Sequence, residues 1–362
     1  MHIKPTSSRE LTYSQAILEG LRQSMEQDSS VIVIGEGVPD PKSIFGTTAG
    51  LLKQFGPKRV FDMPLAENGM TGVCIGAALD GWRPVMVHQR IDFSLLALDQ
   101  IINNAAKWHY MFDGAVSVPL VIRVLIGRGW GQGPQHSQSL QALFAHIPGL
   151  KVVMPATARD AKGLLIAAIK DNNPVIFIEH RWLHHIRDEV PSDFYSIPLE
   201  QARVIRTGND VTVVACSYML IEVLRAAQLL ADNGINVEVI DLRSVRPMDI
   251  NTIVDSVNKT KHLIVADTGW LAGGVTAEIV AQVVERAFKI LQRPPVRIAS
   301  PDHPVPTSHF MADDYYPEAE TIAGSIVQLL DKSGTVDRAA IMTALRRPEP
   351  RDVPYQDFHG PF

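Results

Sequence analysis

The chain has 362 residues, of which 46% are hydrophobic, and its 39 acidic and 34 basic residues leave a formal net charge of −5. That length exceeds what one hydrophobic core usually serves, so two domains are expected, and the composition is that of a globular chain rather than a disordered one. The small, mixed-sign charge leaves no field to attract nucleic-acid phosphates or an anionic membrane, and no apolar run approaches the 18 residues of a membrane span.

The amino terminus lacks the basic start and apolar run of a secretory leader, and a cytoplasmic location is expected. Cys74 and Cys216 stand far apart in apolar runs without metal-ligand spacing, and read as buried small hydrophobes. In chain order, runs rich in Val and Ile at 31–36, 83–88, 119–126, 151–154 and 174–179 predict strands. They are continuously apolar, as parallel strands covered by helices on both faces require. Between them, apolar residues at three- and four-residue intervals predict helices over 14–25, 69–79, 97–108 and 159–170.

The stretch 182–199, with Pro191, Pro198 and no period, is the expected domain boundary. A second series follows, with strands at 210–216, 236–242, 262–267 and 296–300 and helices at 219–233, 249–256 and 276–291. From Asp331 onward the chain reads as a tail draped over a surface or a partner.

Three strand ends carry candidate chemistry. Phe61-Asp-Met-Pro-Leu-Ala-Glu67 places a carboxylate between a strand and a helix of small residues; Glu67 either complements that helix's positive end or belongs to a site. Gly127-Arg-Gly-Trp-Gly-Gln-Gly-Pro-Gln-His136 is a glycine-rich loop without the Gly-Lys-Ser/Thr of a phosphate loop or the glycine spacing of a dinucleotide fingerprint. His136 reads as a hydrogen-bonded loop residue or as a catalytic one, the second favoured by its place after a strand. Arg90-Ile-Asp-Phe93 offers an aromatic ring that serves core packing or a ligand platform.

Together with Asp99-Gln-Ile-Ile-Asn-Asn-Ala-Ala-Lys, His146-Ile-Pro-Gly-Leu-Lys-Val-Val, Asp171-Asn-Asn-Pro-Val and Val239-Ile-Asp-Leu-Arg-Ser-Val-Arg-Pro-Met-Asp, these segments closely resemble the beta subunits of thiamine-diphosphate-dependent 2-oxo acid dehydrogenases, over roughly residues 10 to 330. The resemblance implies an α/β fold of two three-layer α/β/α domains: a pyrimidine-binding, transketolase-like domain at 1–185, a linker at 186–200, a transketolase C-terminal-like domain at 201–332, and a tail at 333–362. It implies that Glu67 bonds the aminopyrimidine ring nitrogen of thiamine diphosphate and shares a proton with it, so that the cofactor loses its C2 proton. By the same match Phe93 stacks on that ring. Gln89, Arg90 and His136 lie near the substrate, His136 handling protons or guiding a lipoyl arm. Leu120, Ala168, Asp171 and Asn173 correspond to a potassium site, although Asp171 also suits an ordinary turn.

No Gly-Asp-Gly occurs in the sequence, so the diphosphate-binding half and its Mg2+ site are expected from an alpha subunit, in an assembly of two alpha and two beta subunits. The implied reaction is oxidative decarboxylation of a small 2-oxo acid, pyruvate or branched-chain, with reductive acyl transfer to a lipoyl domain of an acyltransferase core. The chain departs from the family at Arg90, where an aromatic or small residue is common, and at Glu179-His-Arg-Trp-Leu-His-His185. Arg90, His184 and His185 are therefore expected to alter which oxo acid fits. Rival readings are an acetoin dehydrogenase beta subunit, a non-catalytic scaffold subunit, and a free-standing transketolase.

Overall fold

A computed structural model describes residues 8–40, 42–128, 132–332 and 336–354. Two compact units emerge: one holds the described residues up to Gly127 together with Leu143–Leu199, the other holds Arg128–Ala142 and the described residues from Glu200 onward. The second unit thus begins at the end of the expected boundary stretch. It also takes in Arg128–Ala142, which the sequence reading places in the first domain.

In the first unit the strands Val31–Gly35, Val60–Phe61, Arg83–His88, Val121–Ile126, Lys151–Val153 and Val175–His180 are all parallel to their neighbours. Their spatial order runs from Lys151–Val153 through Val175–His180, Val121–Ile126, Arg83–His88 and Val31–Gly35 to Val60–Phe61. Every residue of Val31–Gly35, Val121–Ile126 and Val175–His180 is buried, as expected where helices cover both faces of a parallel sheet. The helix Tyr13–Gln27 opens with a capping box: Thr12 Oγ1 accepts from the Gln15 backbone N–H at 3.2 Å while Gln15 Oε1 accepts from the Thr12 N–H at 2.9 Å. It packs on the helix Ala158–Lys170, where buried Lys162 donates to Glu19 Oε1 at 2.7 Å and to the carbonyls of Pro191 and Asp193, each at 2.8 Å.

In the second unit the strands are ordered Val296–Ser300, Leu263–Trp270, Val211–Ala215, Val237–Asp241 and Arg203–Arg206, parallel except for the last, which runs antiparallel at the edge. Helices Met219–Asp232, Ile250–Thr260, Val275–Ala287 and Ala319–Leu329 accompany them.

Three expectations need correcting. The stretch 97–108 is not one helix: a 3-10 segment at Ile91–Ala97 leads into a π-helical segment at Asp99–Ala105 and a short α-helix at Ala106–Met111. Asp99 and its neighbours compete for backbone and side-chain partners there, Asn103 Nδ2 donating to Asp99 Oδ1 at 2.8 Å and Asn104 Nδ2 to Gln100 Oε1 at 3.2 Å. The helix expected to reach 291 stops at Ala287. In 182–199, Arg187–Pro191 is a strand paired antiparallel with Ser8–Thr12.

Where it is described, the tail folds against the second unit. Helix Arg338–Leu345 packs on Ala319–Leu329, and buried Glu318 gathers three arginines. Its Oε1 accepts from Arg128 Nη2 at 2.5 Å and Arg347 Nη2 at 2.8 Å, its Oε2 accepts from Arg347 Nε at 3.0 Å, and Arg351 Nη1 lies 3.4 Å from Oε2. Removing this carboxylate's charge leaves buried guanidinium groups uncompensated. Glu318→Gln is therefore expected to lower the unfolding free energy by about 3–5 kcal/mol, measured by urea denaturation; a loss under about 1 kcal/mol would show the cluster to be structurally idle.

Candidate active site

Because the strands of the first unit are parallel, their C-terminal ends share one edge, where open α/β sheets place their ligands. Gly35, the last residue of its strand, pairs with Val87 so closely that a Cβ on it would stand 2.3 Å from the Val87 carbonyl oxygen. That approach brings Glu36 and Gln89 to adjacent strand ends, where Gln89 Nε2 donates to the Glu36 carbonyl at 3.3 Å. Asp62 Oδ1 accepts from the Gly37 N–H at 3.0 Å and from the Met63 N–H at 2.9 Å, fastening the segment that leads to Glu67.

Glu67 is the first residue of the helix Glu67–Leu79 and is buried, 8% exposed. Ala66 supplies no side-chain cap, so the carboxylate sits in the positive field of the first turn, while Thr71 Oγ1 donates to the Glu67 carbonyl at 2.7 Å. Helix complement and site residue are thus compatible roles. Burial, followed by the negative charges of Glu67 and Asp62, pushes the Glu36 carboxyl above the usual carboxylate range. Glu36 Oε1 has no hydrogen-bond partner among the described residues. Sequence reasoning passed over Glu36, although it stands directly after a fully buried strand.

Arg90 leads into the 3-10 segment Ile91–Ala97, which Ser94 Oγ closes by donating to the Ile91 carbonyl at 2.5 Å. Half-buried Phe93 is carried on that segment. Glu67, Gln89, Arg90 and Phe93 therefore belong to one strand-end edge. His136 lies in the helical turn Gly133–His136 of the second unit and is half-buried. Its immediate loop neighbours 129–131 lie outside the described residues.

His184 lies within the first unit. It is buried, stacked on Tyr13 with ring centroids 5.6 Å apart, and its Nε2 lies 3.3 Å from Glu179 Oε2. Glu179 also accepts from Arg123 at 2.6 and 3.0 Å. Burial alone would raise that carboxyl, but Arg123 and His184 hold it down at about 2. His185 is half-buried.

The residues matched to a potassium site lie around strand starts, at the opposite edge of the sheet. The Leu120 carbonyl accepts from the Val175 N–H at 2.9 Å and the Ala168 carbonyl from the Asp171 N–H at 3.2 Å. Asp171 pairs with Lys151 and accepts from the Asn173 N–H at 2.8 Å. Arg83 donates to the carbonyls of Ile169 and Asp171, both at 3.0 Å. Two protein cations already serve this oxygen-rich turn.

Comparison with known proteins follows this geometry. Residues 9–185 match the transketolase pyrimidine binding domain and residues 200–322 the transketolase C-terminal domain. The chain is 40% identical over 335 residues to the mitochondrial pyruvate dehydrogenase E1 component subunit beta of Bos taurus, spanning 91% of this chain and 93% of that one. The chain belongs to the pyruvate dehydrogenase E1 beta-subunit family. This family also reaches the beta subunit of an acetoin:2,6-dichlorophenolindophenol oxidoreductase from Cupriavidus necator, to which the chain is 42% identical over 328 residues, 88% of this chain and 97% of that one. A solved structure described as a split-gene transketolase in an inactive beta4 tetramer shares the fold, with a TM-score of 0.72 at 21% identity over 89% of this chain and 98% of that one.

One member of the strand-end edge reports on solution behaviour. His88 is 2% exposed, its Nε2 has no hydrogen-bond partner among the described residues, and burial pushes its pKa down to about 4. Below the ordinary histidine value of about 6.5 the unfolded chain takes up a proton that the folded chain refuses. Stability is therefore complete above that value and lost as pH falls toward 4. His88→Phe is expected to flatten this acid limb in melting temperatures recorded from pH 7 to pH 4; an unchanged slope would assign the limb to other groups.

Proposed function

We propose that this chain, joined to an alpha subunit, makes the thiamine-diphosphate-dependent first component of a 2-oxo acid dehydrogenase. Family membership makes it an oxidoreductase subunit that works with such a partner. The observation that carries the cofactor reading is the buried carboxyl of Glu67, held at a helix start among Glu36, Asp62 and the Phe93 segment. A buried carboxyl with an acidic neighbour, on a helix that packs against the segment carrying Phe93, suits an aminopyrimidine, which offers a basic ring nitrogen and a flat face. Thiamine diphosphate supplies carbanion chemistry when bound. The chain's own contribution is that Glu67 holds a proton at the ring nitrogen, Phe93 supports the ring face, and Gln89 with Arg90 borders the substrate.

With no Gly-Asp-Gly in the sequence, the Mg2+ and diphosphate site falls to the alpha subunit, in an assembly of two of each. The overall reaction we assign is oxidative decarboxylation of a small 2-oxo acid with acyl transfer to a lipoyl group of an acyltransferase core, His136 serving the adduct or the lipoyl arm. The 42% identity to an acetoin oxidoreductase subunit favours acetoin cleavage as the second reading. We also assign a potassium ion to Leu120, Ala168, Asp171 and Asn173, each carbonyl there retaining a second lone pair.

Two outcomes are expected. The isolated chain has no decarboxylase activity and gains it with an alpha subunit; in that complex Glu67→Gln lowers turnover by roughly 100-fold or more while the melting temperature barely moves. Normal turnover of the variant returns Glu67 to the helix-end role. Replacing choline chloride by potassium chloride at equal ionic strength raises the melting temperature of the complex, and identical melts in the two salts remove the ion from the assignment.

A further inference from the structure

After the strand Val121–Ile126 the chain leaves the first unit: Arg128–Ala142 belongs to the second, and His136 stands in the middle of that segment. Both ends of the segment are fastened to buried carboxylates of the second unit. At the front, Arg128 pairs with Glu318 and lies 4.2 Å over the Tyr316 ring. At the rear, Gln141, which has no solvent exposure, donates from Nε2 to both oxygens of Asp267, at 2.8 and 2.9 Å. Between the two, Gly133, at φ +64°, lies so close to Thr307 that a Cβ on it would stand 3.1 Å from Thr307 Oγ1.

Asp267 is itself held in place. It follows Ala266, and Cys216 follows Ala215, the parallel partner of Ala266, so the register sets Cys216 Sγ 3.5 Å from Asp267 Oδ1. Asp267 is 1% exposed, and burial pushes its carboxyl above the usual carboxylate range against the bonds it accepts. A carboxylate this deep has no water to turn to, and the Gln141 amide takes the place of solvent through a charge-assisted bond. The backbone leaves room for that bond and no more: a Cβ on Gly269 would stand 2.9 Å from Asp267 Oδ2 and 3.0 Å from Gln141 Nε2.

We propose that Asp267 is a positioning residue that acts through Gln141 to set His136 for its step of the reaction. This rests on the reading of His136 given above, and it gives the second unit a part in the chemistry. A segment fastened only at Arg128 pivots about that end, whereas a second pin at Gln141 fixes the residues between. Proton transfer by a histidine needs heavy atoms within about 2.6–3.2 Å of each other. A displacement of about 1 Å that starts far from the reacting atoms costs up to about 100-fold in rate.

The test is a double-mutant cycle in the reconstituted alpha–beta complex, with decarboxylation read by reduction of 2,6-dichlorophenolindophenol and acyl transfer read on a lipoyl domain. Gln141→Met keeps the length and removes the donor; Gly269→Ala keeps both partners and wedges them apart. We expect each to lower kcat by roughly 10-fold to 100-fold in whichever assay His136→Ala slows, with KM little changed, and to have no further effect once His136 is alanine. Thr212→Val, which removes a buried hydroxyl bonded to Ser256 and Thr260 in the same unit, is expected to lower the melting temperature and leave both assays alone. Unchanged kcat in Gln141→Met and Gly269→Ala while His136→Ala is slow overturns the proposal and leaves the His136 reading standing. Equal losses with and without His136, an equal loss in Thr212→Val, or failure of both Gln141→Met and Gly269→Ala to assemble overturns it as well, by making the contact a support of the fold. If His136→Ala slows neither assay, the His136 reading falls and the positioning falls with it. If the complex turns over no 2-oxo acid, the test passes to modification of His136 by diethyl pyrocarbonate, followed by peptide mass spectrometry: faster modification in both variants upholds a pinned His136, and an unchanged or slower rate overturns it.

Discussion

Parallel pairing in the first unit is the constraint from which the site follows. A parallel ladder puts every strand's C-terminal end on one edge, and here the register matches Gly35 with Val87, His88 with Val124, and Ile126 with His180. Glu36 and Gln89, far apart in sequence, are thereby set at neighbouring strand ends, where Gln89 reaches the Glu36 carbonyl. The close contact of Gly35 with the Val87 carbonyl and the bare face of Gly127 are what this gathering demands of the backbone. A side chain at either position would push neighbouring strand ends apart.

Negative charge gathers at this edge, where Glu67 and Asp62 add to burial in pushing the Glu36 carboxyl above the usual carboxylate range. Fixed charges of that kind cost no reorganisation at the moment of binding. The opposite sheet edge is different in kind. There Arg83 and Lys151 satisfy the carbonyls and the carboxylate of the 169–171 turn, which suits anchorage more than chemistry.

Much of this was legible in the sequence. Continuous Val and Ile runs marked the buried parallel strands because both faces of those strands are apolar, and the stranded position of Glu67, Arg90 and Phe93 after them located the edge. Strands Ser8–Thr12 and Arg187–Pro191 were not legible, since their partly exposed positions carry Arg9, Glu10, Arg187, Asp188 and Glu189 and look like loop. Helix Arg338–Leu345 buries only Ile341 and Leu345, too few to set up a period. Glu36 was passed over for another reason: its significance lies in the charges of Glu67 and Asp62 near it, which no local pattern encodes. The contacts of His184 with Glu179 and Tyr13 were likewise not legible, since they join separate elements.

Glu318 joins two stretches of chain that are more than two hundred positions apart. Arg128, which also lies over the Tyr316 ring at 4.2 Å, is the second residue of the glycine-rich stretch that ends at His136, while Arg347 and Arg351 come from the last described segment. One carboxylate thus acts as a shared hitch for the base of that stretch and for the carboxy-terminal segment. Shortening the chain to end before Arg347 is consequently not neutral for this protein: it would take away two of the three guanidiniums that hold Glu318 and leave Arg128 to pair with it alone among them.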